Sequence, residues 1–69
     1  MKFNMQLDHN YASFTTPRSG VYVFVDSFDN HEFDVRVGSL LDSNCVGTIH
    51  AESDDELNDE LEKITADFL

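Results

Sequence analysis

The clearest pattern in the chain is a helical spacing of apolar residues in its C-terminal part. Four of them are separated by four, three and four positions, a spacing that places them on one face of an α-helix. They are Leu57, Leu61, Ile64 and Phe68. Ser53 lies three residues before Glu56, which is the spacing of a capping box at a helix start. The pattern therefore predicts a helix over residues 53–69.

Upstream of the predicted helix, the apolar residues alternate with polar ones or form a short run, as in β-strands. Residues 21–25 are β-branched or aromatic throughout and apolar on both sides, which is typical of a central strand. Residues 28–31 are expected to form a hairpin loop, and residues 32–37 then return as a strand with alternate positions apolar. Residues 45–51 alternate again and predict the next strand, which leads directly into the helix.

The N-terminal part is less well defined. Residues 2–7 alternate, with Phe3 and Met5 on one side, and predict either a strand or an extended arm. Tyr11 and Phe14 either belong to a short additional strand or only hold the segment that connects residues 2–7 to the strand at residues 21–25 in place. Pro17 and Gly20 indicate a turn.

These elements predict a single domain over residues 1–69 with an α+β fold. Short connections favour antiparallel pairing, so we expect a sheet of three to five strands with the C-terminal helix packed on one face. One helix covers one face only. We therefore expect the face left uncovered, carrying either Tyr22 and Phe24 or the valines of residues 21–25, to meet the N-terminal segment or a second copy of the chain.

The charge of the chain restricts its partners. Fourteen acidic residues stand against four basic ones, for a net charge of −10. Such a chain repels nucleic-acid backbones and anionic membranes, so direct binding to either is not expected. A hydrophobic share of 41% nevertheless favours a folded domain over disorder. If charge selects a partner, that partner is basic.

Carboxylates concentrate on the predicted helix, on the face opposite the apolar residues. This set is Asp55, Glu56, Asp59, Glu60 and Glu62. A second set surrounds the predicted hairpin and consists of Asp26, Asp29, Glu32 and Asp34. Carboxylates four residues apart on a helix are separated by about 6 Å along its axis, a spacing that a groove built for phosphates could accept. The alternative is that the acidic face is only the solvated side of a small domain.

No motif indicates catalysis, a metal or a cofactor. The acidic loop before residue 32 lacks the glycine of a calcium loop, and no cysteine or histidine pair has zinc spacing. Cys45 cannot form an internal disulfide and is expected to be a small buried residue. The longest apolar run is residues 21–25 and no signal peptide is recognisable. We therefore expect a cytoplasmic protein, in the host cell if a phage encodes it.

Two resemblances bear on function. From Gly20 onward, the order of strands followed by a capped acidic helix resembles the small domain of HicB-type antitoxins. The segment 45–48, leading into Ser53-Asp54-Asp55-Glu56-Leu57, carries this resemblance. The turn rich in glycine and proline that precedes the third strand in that family is missing here. In size, acidity and lack of catalytic motifs, the whole chain is similar to phage-encoded anti-defence proteins such as anti-CRISPR proteins.

The function expected from charge and from the second resemblance is non-enzymatic. The chain would act as an inhibitor that mimics nucleic acid and binds a basic, nucleic-acid-binding protein or complex through the two acidic sets. The alternative is a small interaction module, an antitoxin-like domain or a dimerising subunit, that binds through an apolar sheet face. The salt dependence of partner binding distinguishes the two hypotheses, because binding by charge mimicry is lost at high salt whereas binding through an apolar interface is retained.

Overall fold

The computed structural model describes residues 3–16, 20–39 and 41–68 of the chain. Four strands and one helix follow one another in these residues. They are β1 (Tyr11–Thr15), β2 (Tyr22–Ser27), β3 (Glu32–Gly38), β4 (Ser43–His50) and α1 (Asp54–Thr65). The predicted turn residue Pro17 and the last residue of the predicted helix, Leu69, lie outside the described part of the chain.

The strands form one antiparallel sheet in the order β1-β2-β3-β4. This arrangement confirms the predicted α+β fold, and it confirms the central position of the strand predicted over residues 21–25. Tyr11 and Phe14 do belong to a short strand, β1, at one edge. The inner face of the sheet carries Val23 and Val25 of β2 and Phe33 and Val35 of β3, all fully buried.

The helix covers the inner face on the side of β4. Leu57 and Leu61 are completely buried there and belong to one core cluster with Phe33 and Ile49. Burial of apolar surface is worth about 25 cal/mol per Å², so these four side chains are a main source of stability in so small a domain.

The helix begins as predicted and ends earlier. Ser53 accepts a hydrogen bond from the Glu56 backbone N–H at 3.1 Å, while the Glu56 carboxylate accepts from the Glu52 N–H at 2.7 Å. The prediction that Phe68 is buried was wrong, because α1 ends at Thr65 and Phe68 is 52% exposed. Thr65 is buried instead, since its hydroxyl donates to the Leu61 carbonyl at 2.7 Å and needs no outside partner.

The N-terminal segment, residues 3–7, is an extended arm and not a strand of the sheet. Phe3 and Met5 are buried in the same core cluster as the helix, and the Phe3 ring packs edge-on against Phe14, with 4.9 Å between ring centroids. The arm therefore lies beside α1 on the inner face. Of the two sets that the helix could leave uncovered, Tyr22 and Phe24 are the ones on the outer face. The arm does not cover them, because it packs with Val23 and Val25 on the inner face. A second copy of the chain on the outer face stays a prediction.

The amide of Asn58 holds the arm in place. Its Oδ1 accepts from the Met5 N–H at 2.8 Å, and its Nδ2 donates to the Met5 carbonyl at 2.9 Å and to the Asp54 carbonyl at 2.9 Å. The Asp54 carboxylate accepts from the Leu7 N–H at 2.7 Å. Side chains of the helix thus pair with the backbone of the arm as a neighbouring strand would.

A β-bulge interrupts β4. Val35 lies opposite Gly47, whereas Arg36 lies opposite Cys45, so Val46 is the extra residue. One extra residue transfers every preceding side chain to the other face. Cys45 therefore lies on the outer face and is exposed, and the prediction that it is buried was wrong. Alternation through residues 45–51 could not reveal this.

Gly47 allows the helix to approach β4 closely. A Cβ atom on this residue would lie 2.6 Å from the Ile64 Cδ1 atom, which is closer than such atoms normally come. Its φ of 157° is also a conformation that favours glycine. Ile64 therefore lies directly over the edge strand.

Among the described residues, no helix has the length and apolar character needed to cross a membrane.

Candidate partner-binding surface

The first candidate surface is the solvent side of α1, which we call the helix face. It carries the five carboxylates predicted for partner binding. They are Asp55, Glu56, Asp59, Glu60 and Glu62. All are exposed except Glu60, which is half-buried. The structure therefore brings these five side chains together on one surface, as the helical spacing predicted.

The helix face divides into two rows with different surroundings. Asp55, Asp59 and Glu62 point away from the sheet, and no ion pair reaches them from the residues that the structure describes. Glu56 is engaged in capping the helix, and Glu60 lies 3.4 Å from the Lys63 ammonium. The outward row is therefore the part of the helix face whose negative charge is least compensated.

The second candidate surface, the hairpin set, lies on and around the β2–β3 hairpin. Asp26 and Asp34 face each other across the two strands on the outer face of the sheet. Asp26 accepts from the Arg36 guanidinium at 2.8 Å, and Asp34 accepts from the Thr48 hydroxyl at 3.0 Å. Glu32 is exposed at the start of β3. The outer sheet face is opposite the helix, so the structure does not merge the hairpin set and the helix face into one surface.

Asp29 has a structural task in the hairpin turn. Its carboxylate accepts from the Glu32 N–H at 3.0 Å and from the His31 N–H at 2.9 Å. These bonds, the one from Glu32 first, hold the pKa of the Asp29 carboxyl below its ordinary value of 3.8. Asp29 stabilises the turn as well as contributing negative charge.

The Asp29 bonds predict a pH dependence of stability. A carboxyl whose pKa is depressed by folding stabilises the protein above its unfolded pKa, and this contribution is lost as the pH falls through the folded pKa. Asp29→Asn should therefore be less stable than the unmodified chain near neutral pH, and the difference should shrink as the pH falls below 3.8 and through the lower pKa of Asp29 in the folded chain. Urea unfolding at a series of pH values measures the difference, and a constant difference across the series would contradict the assignment.

The outer sheet face carries the aromatic residues considered as an alternative interface. The rings of Tyr22 and Phe24 stack with 5.8 Å between centroids, and the Arg36 guanidinium lies 5.6 Å from the Phe24 centroid. Phe24 is only 9% exposed. Because Arg36 and Tyr22 cover it within the chain, this face offers a partner less apolar surface than the sequence suggested.

The alternation of residues 32–37 places Arg36 on the outward side of β3, but its contact with Phe24 was not predicted from the sequence. It is one of four basic residues, and it combines a cation–π contact to Phe24 with an ion pair to Asp26. The hairpin register could have revealed it, because Phe24 lies directly opposite Arg36.

Within residues 3–16, 20–39 and 41–68, no three histidine, cysteine or acidic side chains are grouped so that they could hold an ion. The Cys45 thiol is exposed and makes a long contact, 3.8 Å, with the Gly47 carbonyl.

Comparisons of the chain with protein-family models, with curated proteins and with solved structures found no match. The functional argument therefore rests on the geometry and charge of the surfaces described above.

Proposed function

We propose that this chain is a non-enzymatic inhibitor that binds the basic, nucleic-acid-binding surface of another protein and acts as a nucleic-acid mimic. The outward row of the helix face, Asp55, Asp59 and Glu62, makes the principal contact. The hairpin set forms a second, separate patch. The class that we propose is the anti-defence proteins of phages, anti-CRISPR proteins among them, acting in the cytoplasm of the host cell.

The observation that carries the proposal is the uncompensated row of carboxylates on a firmly docked helix. Leu57 and Leu61 are fully buried, so the helix cannot turn its acidic side elsewhere without losing the core. Because the docked helix holds the backbone of these residues in place, binding a complementary surface does not require that segment to become ordered, which reduces the entropic cost of binding. With a net charge of −10, the chain is also attracted to a basic partner over a distance, and this attraction raises the association rate.

The outer sheet face supports the competing interaction module less well. Apolar interfaces are centred on aromatic anchors that a partner buries, but Phe24 is already covered by Arg36. The Tyr22 ring remains half-buried. The outer sheet face therefore offers a partner little apolar surface to bury, whereas the helix face offers a row of uncompensated charges.

The test starts with the capture of host proteins on the immobilised chain. A nucleic-acid mimic must release its partner both in a salt gradient and on addition of a competing DNA or RNA duplex, because both displace charge contacts at one site. A partner that stays bound in high salt and in the presence of either duplex would contradict the proposal.

A pair of matched variants then locates the contact. Asp59→Lys combined with Glu62→Lys changes the net charge from −10 to −6, since each reversal adds two units. Asp8→Lys combined with Asp42→Lys makes the same change at exposed positions outside both acidic surfaces. We expect the first variant to bind the captured partner at least about tenfold more weakly, which is about 1.4 kcal/mol, and the second to bind nearly as the parent chain does. Equal losses in the two variants would show that net charge alone matters.

A further inference from the structure

The sheet has an open edge at β4, and this edge has few of the features that normally block pairing. In the described residues, β4 pairs with β3 alone. Residues 43–49 contain no charged residue and no proline, although edge strands are usually protected by such residues. The bulge at Val46 is a protective feature of this strand, but it leaves the stretch from Gly47 to His50 in regular register.

A row of carboxylates runs beside this edge. Glu56, Glu60 and Ile64 are spaced four residues apart and form one row along α1. Ile64 lies over Gly47 of β4. The opposite flank of the helix is fixed to the N-terminal arm through Asn58. The row that contains Glu56 and Glu60 therefore lies on the flank next to the open edge, which also explains why Glu60 is half-buried.

We propose that the β4 edge accepts an extended, cationic segment of the partner as an additional strand. The inference rests on the proposed function, because it takes the partner to be basic. Backbone hydrogen bonds would form along the edge, and alternate Lys or Arg side chains of the added strand would point to Glu56 and Glu60. The outward row remains free for the folded surface of the same partner.

The negative charge of the chain makes a second copy of it an unfavourable partner for the β4 edge. Two chains with a net charge of −10 each would repel one another, and pairing at β4 would bring their Glu56 and Glu60 side chains together. The other open edge, β1, has five residues, and α1 does not pack against it as it packs against β4. At β4, a cationic strand would meet the complementary charge of Glu56 and Glu60.

A synthetic peptide tests the edge directly. The probe is a capped eight-residue peptide that alternates lysine with threonine or valine. We expect it to shift the backbone amide NMR signals of Ser43–His50 and to slow their hydrogen exchange. The same peptide with N-methyl groups on alternate residues, made in both registers, should lose binding in one register, because N-methylation removes the donors that face β4.

Two variants of the chain provide the matched control. Glu56→Gln with Glu60→Gln should weaken peptide binding about tenfold, and glutamine preserves the acceptor that caps the helix. Asp55→Asn with Asp59→Asn removes the same charge from the outward row and should change peptide binding much less.

Several results would overturn the inference. They are equal losses in the two double variants, full binding of both N-methylated peptides, shifts confined to α1 or β1, absence of binding up to about 1 mM peptide, or self-association of the chain through β4. None of them affects the proposed function, which is tested separately by release of the captured partner in salt and by a competing duplex, and by the reversal at Asp59 and Glu62.

Discussion

Leu61→Ala is expected to lower the free energy of unfolding by about 2–5 kcal/mol. Leu61 is fully buried between the helix and the sheet, and its removal leaves a cavity lined by core residues that cannot collapse around it. Small domains have total stabilities of about 5–15 kcal/mol, so the variant should lose much of its margin. Urea unfolding followed by circular dichroism measures the loss.

Phe68→Ala is the control for Leu61→Ala. Phe68 is the last residue of the same apolar spacing but lies beyond α1 and is exposed. Its removal should change stability by no more than about 0.5 kcal/mol. A loss at Phe68 as large as that at Leu61, or a loss below about 1 kcal/mol at Leu61, would mean that the helix docks differently from the structure described here.

Asn58→Ala should have the second largest effect on stability, about 1–3 kcal/mol, because it leaves polar backbone groups of the arm without partners. The Met5 N–H and carbonyl both bond to this amide, and Met5 is only 2% exposed. Hydrogen exchange at the Met5 amide should accelerate along with the loss of stability, since the arm would open locally.

Asn4→Ala is the matched control for Asn58→Ala. Asn4 belongs to the same arm but points to solvent, so its removal should leave both stability and Met5 exchange close to those of the parent chain. If Met5 exchange is unchanged in Asn58→Ala, the arm is held by the packing of Phe3 and Met5 and by the bond from Leu7 to Asp54, and not by the Asn58 amide.

The sequence predicted the elements whose side chains repeat regularly. Alternation in β3 placed Phe33 and Val35 inward correctly, and the spacing of Ser53 and Glu56 located the helix start. Periodicity could not indicate where α1 ends, because the apolar spacing continues to Phe68 although the helix ends at Thr65. Burial of Thr65 depended on its hydrogen bond to the Leu61 carbonyl. Periodicity also failed across the bulge, where the position of Val46 is decided by pairing with β3.

The arrangement of the candidate surfaces could also be predicted from the sequence only in part. Helical spacing alone placed the carboxylates of α1 on one side. The position of the hairpin set relative to them depended on which sheet face the helix covers, and that choice follows from packing of the arm and of Leu57, not from a local pattern. Because Asp26 and Asp34 lie on the outer face, the sequence could not show that the two acidic surfaces are separate.

The arm also has a consequence for the order of folding. Met5 is bonded to a residue 53 positions further along the chain, whereas the strands of the sheet pair with their sequence neighbours. Contacts between distant residues form slowly, and proteins are synthesised from the N-terminus. Phe3 and Met5 therefore leave the ribosome well before the helix that they pack against, and they find their partner late. During synthesis these two apolar side chains stay exposed until the helix has emerged, and in that interval the nascent chain is most open to chaperones and to aggregation.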